Sequence, residues 1–350
     1  MSGLFGVSRR NRNGSVSGSV SGQVPGQVPG QRQLDAAGFA DIAVPAGRPG
    51  LTTHRWLVGS QSAVASWLAG APPRTLGAIP GHARLRGPFT AAGTLMREVA
   101  PAMLANHTDL VRCYGSDMLA TAPDLAWVLG PARPAGHHSH NRARQVAESL
   151  GALTLAYAAQ LGPRHTLAVL DADCLDGTDA LWLADLLGHA DPDRLQIVVA
   201  TSTGAVPAPL AAVLAGRTVR TDVSSPRVRK PLGSPPSQLF LARAFVATEC
   251  LSDDPGLRAA YAALDPAARA DLHDNRALRL ETLGDPSLRL GAIAYHRERG
   301  SAPGAGVAAL SYAVTECFRA GWYCAAVEFG DRLRTFLGPD GKGLELPHGD

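Results

Sequence analysis

The sequence predicts an α/β protein in which a parallel β-sheet, built from the first part of the chain, is followed by an all-helical region. Short apolar runs alternate with helical stretches as far as about residue 222, a pattern that favours parallel strands joined by helices. After about residue 238 the strand patterns stop, and helical segments open with Asp or Ser caps and with proline in the first turn. We therefore expect four parts: a disordered tail at 1–45, an α/β domain at 46–222, a linker at 223–237 and a helical domain at 238–350.

The expected tail contains tandem tetrapeptides. Residues 14–32 read GSVSGSVSGQVPGQVPGQR. The few apolar side chains of this stretch cannot offset the entropy that the chain would lose on folding. The tetrapeptides are also too few to build a repeat fold, so we expect a flexible segment rich in Gly, Ser, Val and Pro.

Strands and helices alternate in the predicted α/β domain. The predicted strands are, in order, HRWLVGS, RTLGAI, HTLAVLD, LQIVVATST and RTVRTD. The predicted helices follow the first strand to about Gly70, span 90–107, and cover HNRARQVAESLGALTLAYAAQLG, GTDALWLADLLGHA and APLAAVLAG. Leu95, Val99 and Met103 recur at helical spacing, which indicates that the helix at 90–107 buries one face.

The helical domain is predicted to end in a hairpin of two helices. QLFLARAFVATECL, DPGLRAAYAALDPAARADLHDNRALRLETL and PSLRLGAIAYHRER are the helical segments before it. The hairpin consists of GAGVAALSYAVTECFRA and GWYCAAVEFGDRLRTFL, with a turn at Gly321. Alanines where the helices meet and an aromatic residue after the turn are typical of a tetratricopeptide-like unit. One such pair cannot bury both faces, so we expect it to cap the domain, to bind a partner or to begin an array.

Charge and cysteine content limit the classes of function. The formal net charge is +3, which is too small to indicate a nucleic-acid partner. Five scattered cysteines without CxxC pairing favour a reducing compartment. Only a short apolar patch precedes the first arginines, and no apolar run reaches the roughly 18 residues that a membrane span needs. We expect a cytoplasmic protein.

One short segment, GSQSAVAS, has the outline of a phosphate-binding loop. A loop of the form GxxxxGK[ST] holds phosphates with backbone amides, contacts the β and γ phosphates with its Lys, and holds Mg²⁺ with its Ser or Thr. Gly59 and Ser66 fit this template, but Val64 stands at the second glycine and Ala65 at the lysine. Taken alone, the segment favours an ordinary turn between a strand and a helix.

Lysine is nearly absent from the chain. It occurs only at Lys230, in RVRKPLG, and at Lys342, in GPDGKGLE. Neither lysine follows an apolar strand or precedes a Ser or Thr. The sequence therefore contains no intact lysine-bearing phosphate loop.

Two later strands end in polar residues that suit a nucleotide site. HTLAVLD ends in Asp171, and a carboxylate at the carboxyl end of a strand is suited to Mg²⁺. LQIVVATST carries Thr201, where many ATPases keep a polar residue that senses the γ phosphate. Ala172 follows Asp171, although a hydrolytic ATPase usually has an acid there to activate water. We expect Asp176 and Asp179 to cap the next helix.

The order of these segments resembles that of the STAND class, the signal-transduction ATPases with numerous domains, and in particular large ATP-binding regulators with tetratricopeptide arrays. LAVLDADCLDGTDALWLADLL and LQIVVATST follow the course of the metal-site region of that class. AYH at 294–296, then a polar gap and the hairpin, resembles the junction of the ATPase core with the repeats. The resemblance covers about residues 53–336 and implies a P-loop NTPase-like domain followed by a tetratricopeptide-like domain.

The resemblance implies a nucleotide-binding site, and the departures from the family pattern imply that this site binds weakly. It makes Gly59, Ser66, Asp171 and Thr201 the candidates for residual nucleotide contact, with Asp171 as the metal ligand. Ala65 in place of lysine removes a charge-assisted contact worth about 1.5 to 3 kcal/mol, so affinity should fall by roughly tenfold or more. The sequence requires no cofactor and leaves ATP or ADP with Mg²⁺ as the candidates. The DNA-binding and long repeat regions of the family have no counterpart in these residues.

Three other groups of residues have simpler explanations. The histidines of GHHSHNRAR lack a CxxC or HExxH partner, which favours a polar loop over a metal site. The cationic residues at 217–230 lack interleaved aromatics, which favours a solvated linker over nucleic-acid binding. The glycines of LRGPFTAAG lack a preceding strand and a lysine, which favours a loop that enters a helix.

The sequence thus predicts a regulatory or scaffold protein that does not hydrolyse ATP and acts through protein–protein contacts of its helical domain. The expected contact region comprises Leu310, Phe318, Trp322 and Tyr323, because aromatic side chains often anchor interfaces. We also expect at least two of these side chains to pack in the core. Two alternatives stay open: a weak ATP- or ADP-binding switch or ATPase, and an enzyme of unrelated chemistry on the same sheet. The expected partner is a protein, which includes a second copy of this chain, and neither a membrane nor a nucleic acid.

Overall fold

A computed structural model describes residues 53–70, 74–131, 141–162, 164–224 and 237–337. All of these residues belong to one compact unit. The predicted tail, both lysines, most of the predicted linker and the histidines of GHHSHNRAR lie outside the described residues. Within the described ranges, none of the helices combines the length and the apolar character that a bilayer span requires.

A parallel sheet of five strands lies at the centre of the described structure, so the predicted α/β class is confirmed. The strands are β1 (His54–Val58), β2 (Thr75–Pro80), β3 (His165–Leu170), β4 (Leu195–Thr201) and β5 (Thr218–Asp222). They lie in the order β2-β3-β4-β1-β5, and each adjacent pair is parallel. Every residue of the central strand β4 is buried, as its nearly continuous apolar sequence predicts for a strand covered on both faces.

Helices connect and follow the strands. Those of the α/β part are α1 (Gln61–Leu68), α2 (Thr90–Asn106), α3 (Thr108–Thr121), α4 (Ala126–Leu129), α5 (Arg142–Leu161), α6 (Gly177–His189) and α7 (Ala208–Arg217). Those of the helical part are α8 (Gln238–Ala247), α9 (Pro255–Ala262), α10 (Pro266–Glu281), α11 (Ala292–Arg297), α12 (Pro303–Ala320) and α13 (Tyr323–Leu337). Short 3₁₀ turns lie at Pro123–Leu125, Ala172–Cys174 and Pro286–Leu290.

The helices of the helical part start where their caps predict. Ser237, Asp254 and Asp265 accept hydrogen bonds from first-turn amides of α8, α9 and α10. Proline stands at the first position of α9 and α10, where its missing N–H costs no helical hydrogen bond. Gly321 ends α12 in the left-handed conformation, with φ of 78°, and so makes the predicted turn of the hairpin.

One large hydrophobic cluster includes side chains from both parts of the chain. It contains buried residues of β3, β4, α2, α5 and α6, with Trp182 the largest fully buried side chain. Leu310, Cys317 and Phe329 of the hairpin belong to the same cluster. The α/β part and the helical part therefore share a core, and the predicted boundary between two domains stays a prediction.

Two glycines allow the parts of the chain to pack backbone against backbone. Gly87 has φ of 78°, and a Cβ at this position would clash with the backbone of Leu290. A Cβ at Gly291 would likewise clash with the backbone of Arg86. Arg86 also forms an ion pair with Asp285. These contacts fix the segment before α2 against the segment before α11, next to the carboxyl edge of the sheet.

Candidate functional site at the carboxyl edge of the sheet

The turn between β1 and α1 is shorter than a phosphate-binding loop. Only Gly59 and Ser60 separate the strand from the helix, which begins at Gln61. The early start follows from Ser60, whose hydroxyl caps the helix by accepting a hydrogen bond from the Ala63 amide at 3.3 Å. Positions that a phosphate loop would leave open therefore belong to the first turn of α1.

The packing of the sheet edge explains why residue 59 is a glycine. Its amide donates to the Thr201 carbonyl oxygen at 3.0 Å. A Cβ at this position would clash with the carbonyl oxygen of Val223, so only glycine fits. Ser66 lies more than one turn into α1 with an exposed side chain. The structure therefore does not bring Ser66 into one loop with Gly59.

A carboxylate of the chain itself occupies the N-terminus of α1. The Gln61 amide donates to Asp253 Oδ2 at 2.8 Å. The first turn of a helix attracts anions, because its amides lack helical partners and the helix dipole is positive there. Asp253 thus supplies an anion to this helix start.

Asp171 lies at the end of β3 and contacts the same helix start. Its Oδ1 accepts a hydrogen bond from Gln61 Nε2 at 3.2 Å. Burial raises the pKa of Asp171, the hydrogen bond from Gln61 opposes the rise, and the charges of Asp173 and Asp253 add to it. Asp171 therefore lies close enough to two other carboxylates to be repelled by both.

Thr201 ends β4, between the ends of β1 and β3. Its hydroxyl is already hydrogen-bonded within the sheet. Trp56 Nε1 donates to Thr201 Oγ1 at 3.0 Å. The same hydroxyl donates to the Leu57 carbonyl oxygen at 3.4 Å. The residue is 2% exposed, so the predicted phosphate sensor faces a tryptophan of its own sheet.

Asp173 organises the turn after β4. Its Oδ2 accepts hydrogen bonds from the Ser202 and Thr203 amides at 3.1 and 3.2 Å, and both hydroxyls bond to the same oxygen. Its other carboxylate oxygen, Oδ1, is buried and has no hydrogen-bond partner among the described residues. That oxygen is suited to an ion or a water molecule.

Asp176 caps α6 as predicted, but the expectation that Asp179 does the same is wrong. The Asp176 carboxylate accepts hydrogen bonds from the Thr178 and Asp179 amides, each at 3.1 Å. The Asp179 carboxylate instead caps α2, accepting from the amides of Ala91 and Ala92 at 2.8 and 3.0 Å. Because Asp176 already satisfies the first turn of α6, the buried Asp179 side chain is left to bind the neighbouring helix.

The hairpin side chains of the predicted contact region fall into two groups. Leu310 and Trp322 are core residues, 0% and 6% exposed. The Trp322 ring packs edge to face against Phe89, with centroids 5.7 Å apart. Phe318 is 64% exposed and contacts the Tyr323 ring, with centroids 5.5 Å apart. The aromatic surface of the hairpin therefore centres on Phe318.

Metal ligands are sparse in the described part of the chain. No group of three or more His, Cys, Asp and Glu side chains among these residues is arranged to hold a metal ion. Mg²⁺ at Asp171 would thus take most of its ligands from water or phosphate, as this ion commonly does.

The residues that close this edge are Gln61, Trp56 and Asp253, and none of them is predicted from the sequence. Asp253 belongs to the connection between α8 and α9, 192 positions from Gln61. The local pattern of that connection, DDP, indicates only a helix cap. As a set, the side chains of the edge bind backbone amides and one another, an arrangement that holds turns in place and repels other anions.

Comparison with known proteins adds no family to this description. No protein-family model, no curated protein and no solved structure matches the chain at a significant level. The function therefore has to be inferred from the sequence and from the geometry of this edge.

Proposed function

We propose that this chain is a non-hydrolytic regulatory or scaffold protein, built on a degenerate P-loop NTPase-like sheet of the STAND type, that acts through protein–protein contacts of its helical part. The observation that carries the proposal is the hydrogen bond from the Gln61 amide to Asp253. An internal carboxylate holds the place of a nucleotide phosphate, and Ala65 stands where a lysine would attract that phosphate.

The order of the strands brings together the three segments on which the resemblance to STAND ATPases rests. β4 lies between β1 and β3. The strand that ends in Thr201 therefore separates the strand before Gly59 from the strand before Asp171. The common Rossmann and flavodoxin-like orders of doubly wound sheets differ from this order.

The use of polar groups within the protein supports a scaffold over an ATPase. Thr201 is bonded to Trp56, and the amides after β4 are bonded to Asp173. A nucleotide would have to displace these contacts, and its phosphates would meet Asp171, Asp173 and Asp253. Like charges at such short range disfavour binding.

The contact surface that fits this function lies on the hairpin. Phe318 of α12 and Val327 of α13 are 64% and 62% exposed. In an array of helical pairs, the next pair would cover such side chains. The partner expected for this surface is another helical pair, supplied by a second copy of the chain or by a different protein.

Calorimetric titration of ATP and ADP with Mg²⁺ tests the nucleotide part of the proposal. We expect no binding heat at millimolar nucleotide. A Kd below about 100 µM, equivalent to about −5.5 kcal/mol, would contradict the scaffold if Asp171→Ala removed it. Asp191→Ala is the control, because Asp191 is exposed in the turn before β4. This variant should bind ATP and ADP as the wild type does, whether the wild type binds them or not.

One observation favours a nucleotide-gated switch as the second candidate. Asp173 Oδ1 is buried without a hydrogen-bond partner among the described residues, and its carboxylate is close enough to raise the pKa of Asp171. Two such carboxylates can contribute to a Mg²⁺ site. If the switch is correct, Mg²⁺ will raise the Tm of the wild type and not that of Asp173→Asn. If the protein is a scaffold without a Mg²⁺ site, Mg²⁺ will change neither the Tm of the wild type nor that of Asp173→Asn.

The size of the protein in solution tests the contact surface. If Phe318 meets a second copy, sedimentation will show a dimer that Phe318→Asp converts into a monomer, with Tm nearly unchanged because the side chain is exposed. Leu278→Asp, at a side chain of α10 that is 53% exposed, is the matched control. A dimer that survives Phe318→Asp would exclude this surface as the dimer contact.

A further inference from the structure

Residues 249–253, named here the closing segment, connect α8 to α9 and touch two separate parts of the molecule. The segment reads ECLSD. Its first residue, Glu249, is buried in the helical part at 3% exposure. Its last residue, Asp253, accepts the hydrogen bond from the start of α1. The segment therefore joins the helical part to the carboxyl edge of the sheet.

A buried network holds Glu249. Arg276 forms an ion pair with its carboxylate and donates from Nε to Oε2 at 2.9 Å. His296 Nε2 donates to the same oxygen at 2.9 Å. Behind it, His273 Nδ1 lies 2.7 Å from His296 Nδ1, and the Tyr261 hydroxyl lies 2.8 Å from His273 Nε2. With both histidines neutral, these bonds run in one direction, from the Tyr261 hydroxyl to the carboxylate.

The backbone of the closing segment adopts an unfavourable conformation that neighbours hold in place. Glu249 and Cys250 both have left-handed φ angles, 53° and 59°, which residues with side chains rarely adopt. Arg84 Nη1 donates to the carbonyl oxygens of these two residues at 3.1 and 3.2 Å. Such a conformation persists only while the surrounding contacts enforce it.

The far end of the closing segment is bound through Gln61. The Gln61 amide donates to Asp253, and Gln61 Nε2 donates to the Leu251 carbonyl oxygen at 3.3 Å. The same side-chain amide donates to Asp171 at 3.2 Å. Gln61 therefore links the closing segment to the end of β3.

We infer that the closing segment is an intramolecular latch, in which the burial of Glu249 between Arg276 and His296 keeps Asp253 on the start of α1. When Glu249 loses these partners, the left-handed backbone relaxes and Asp253 leaves the Gln61 amide. The helical part thereby controls whether the sheet edge is closed. The inference goes beyond the proposed function, because it concerns the closure of the edge and requires neither a nucleotide nor a partner protein.

Glu249→Gln tests the latch, because it keeps the size of the side chain and removes the charge that its partners bind. Mass spectrometry gives two readouts: hydrogen exchange at the Gln61 amide and alkylation of Cys250. Exchange at Leu167, a fully buried residue of β3, reports unfolding of the whole structure. We expect Glu249→Gln to accelerate exchange at Gln61 and alkylation of Cys250 by roughly tenfold, while exchange at Leu167 changes by less than about twofold.

Two further variants define the range of the response. Asp253→Ala removes the contact with α1 directly, so it should accelerate exchange at Gln61 as Glu249→Gln does. Glu281→Gln is the matched control, because it breaks an ion pair with Arg297 in the same helical part without touching the closing segment. It should leave exchange at Gln61 at the wild-type rate.

Two results would overturn the latch. If Glu249→Gln exposes Cys250 and leaves exchange at Gln61 unchanged, the two ends of the segment move independently. If exchange at Gln61 and Leu167 accelerates equally, the whole structure opens and no latch exists. Should Glu249→Gln fail to fold, Arg276→Lys replaces it, since lysine keeps the charge and loses the paired geometry. Either of the same two results, obtained with Arg276→Lys, would then overturn the latch.

Discussion

Two parts of this molecule bind buried carboxylates in different ways. At the sheet edge, Asp176 and Asp179 are bound by backbone amides at the starts of helices. In the helical part, Glu249 is bound by the side chains of Arg276 and His296. The amides are positioned by local structure, whereas the partners of Glu249 come together only when α10 and α11 pack. The two parts should therefore respond differently to mutation and to pH.

The two kinds of partner shift the pKa of the bound carboxyl group in opposite directions. Burial raises the pKa of Asp179 well above its ordinary value, and the charge of Asp176 raises it further, against the amide hydrogen bonds. Burial alone would also raise the pKa of Glu249, but hydrogen bonds from His296 and Arg276 outweigh it, so this pKa is lowered. Amide dipoles thus hold a carboxyl group in place, while the charge of Arg276 and the hydrogen bonds from Arg276 and His296 also keep Glu249 ionised.

Asp179→Ala has the largest expected effect and tests how firmly amide-bound carboxylates hold the sheet edge. The change leaves the amides of Ala91 and Ala92 without an acceptor, and both residues are 0% exposed. An unsatisfied buried donor costs about 1 to 3 kcal/mol, so we expect the free energy of unfolding to fall by about 3 kcal/mol. Urea unfolding measures the change.

Asp109→Ala is the control for Asp179→Ala. Asp109 also lies in the first turn of a helix, α3, but its side chain is 86% exposed. Its loss should change the free energy of unfolding by less than about 0.5 kcal/mol. If both variants cost equally little, another acceptor serves α2, and the proposed contrast between the two parts disappears.

Acid should weaken the helical part, because His273 is buried there in its neutral form. Burial, together with the charges of His296 and Arg299, lowers the pKa of His273 to about 3. In the unfolded chain a histidine titrates near pH 6.5, so that state binds the proton first and stability falls as the pH drops below about 6.5. Between about pH 7 and pH 5 one such histidine accounts for a loss of about 2 kcal/mol. The other groups that face the histidine pair are Arg84, Glu249, Tyr261, Asp274, Arg276 and Tyr295.

His273→Gln separates this loss from the response of the sheet edge. The raised pKa of Asp179 means that the folded protein binds its proton more tightly than the unfolded chain does, so this carboxyl group adds stability in acid. His82, just after β2, acts in the opposite direction, because burial lowers its pKa to about 4. We expect urea unfolding at about pH 5, 6 and 7 to show that the free energy of unfolding depends less steeply on pH in His273→Gln than in the wild type. His189→Gln, at an exposed histidine of α6, is the control. An unchanged slope in His273→Gln would show that the acid response arises elsewhere.

Most of the fold could be predicted because its signals are local. LQIVVATST is apolar over most of its length and forms a strand buried on both faces. Pro255 and Pro266 follow Asp caps and begin helices where expected. Sequence analysis does not identify α3, because its buried residues, among them Met118 and Leu119, all lie at its end. The rest of that helix lacks the apolar period that predicts a buried face.

The candidate site could be predicted only in outline. Asp171 and Thr201 do leave the sheet at the same edge, since the carboxyl ends of parallel strands meet there. The partners that close the edge come from distant parts of the chain: Trp56 is 145 positions from Thr201, and Asp253 is 192 positions from Gln61. Packing of the whole chain decides such pairs, so their effect on the site has no local signal in the sequence.

Thr201→Val has the smallest expected effect and tests whether the Thr201 hydroxyl can contact a nucleotide. Valine has nearly the shape of threonine but cannot accept the hydrogen bond from Trp56, so the free energy of unfolding should fall by about 1 kcal/mol. Thr335→Val, at an exposed threonine of α13, should change it by less than about 0.5 kcal/mol. If the Thr201 hydroxyl serves only Trp56 and the Leu57 carbonyl oxygen, ATP with Mg²⁺ will leave the difference in unfolding free energy between wild type and Thr201→Val unchanged. If ATP stabilises the wild type more than the variant, the hydroxyl leaves Trp56 to meet a phosphate, and the sheet edge accepts a ligand.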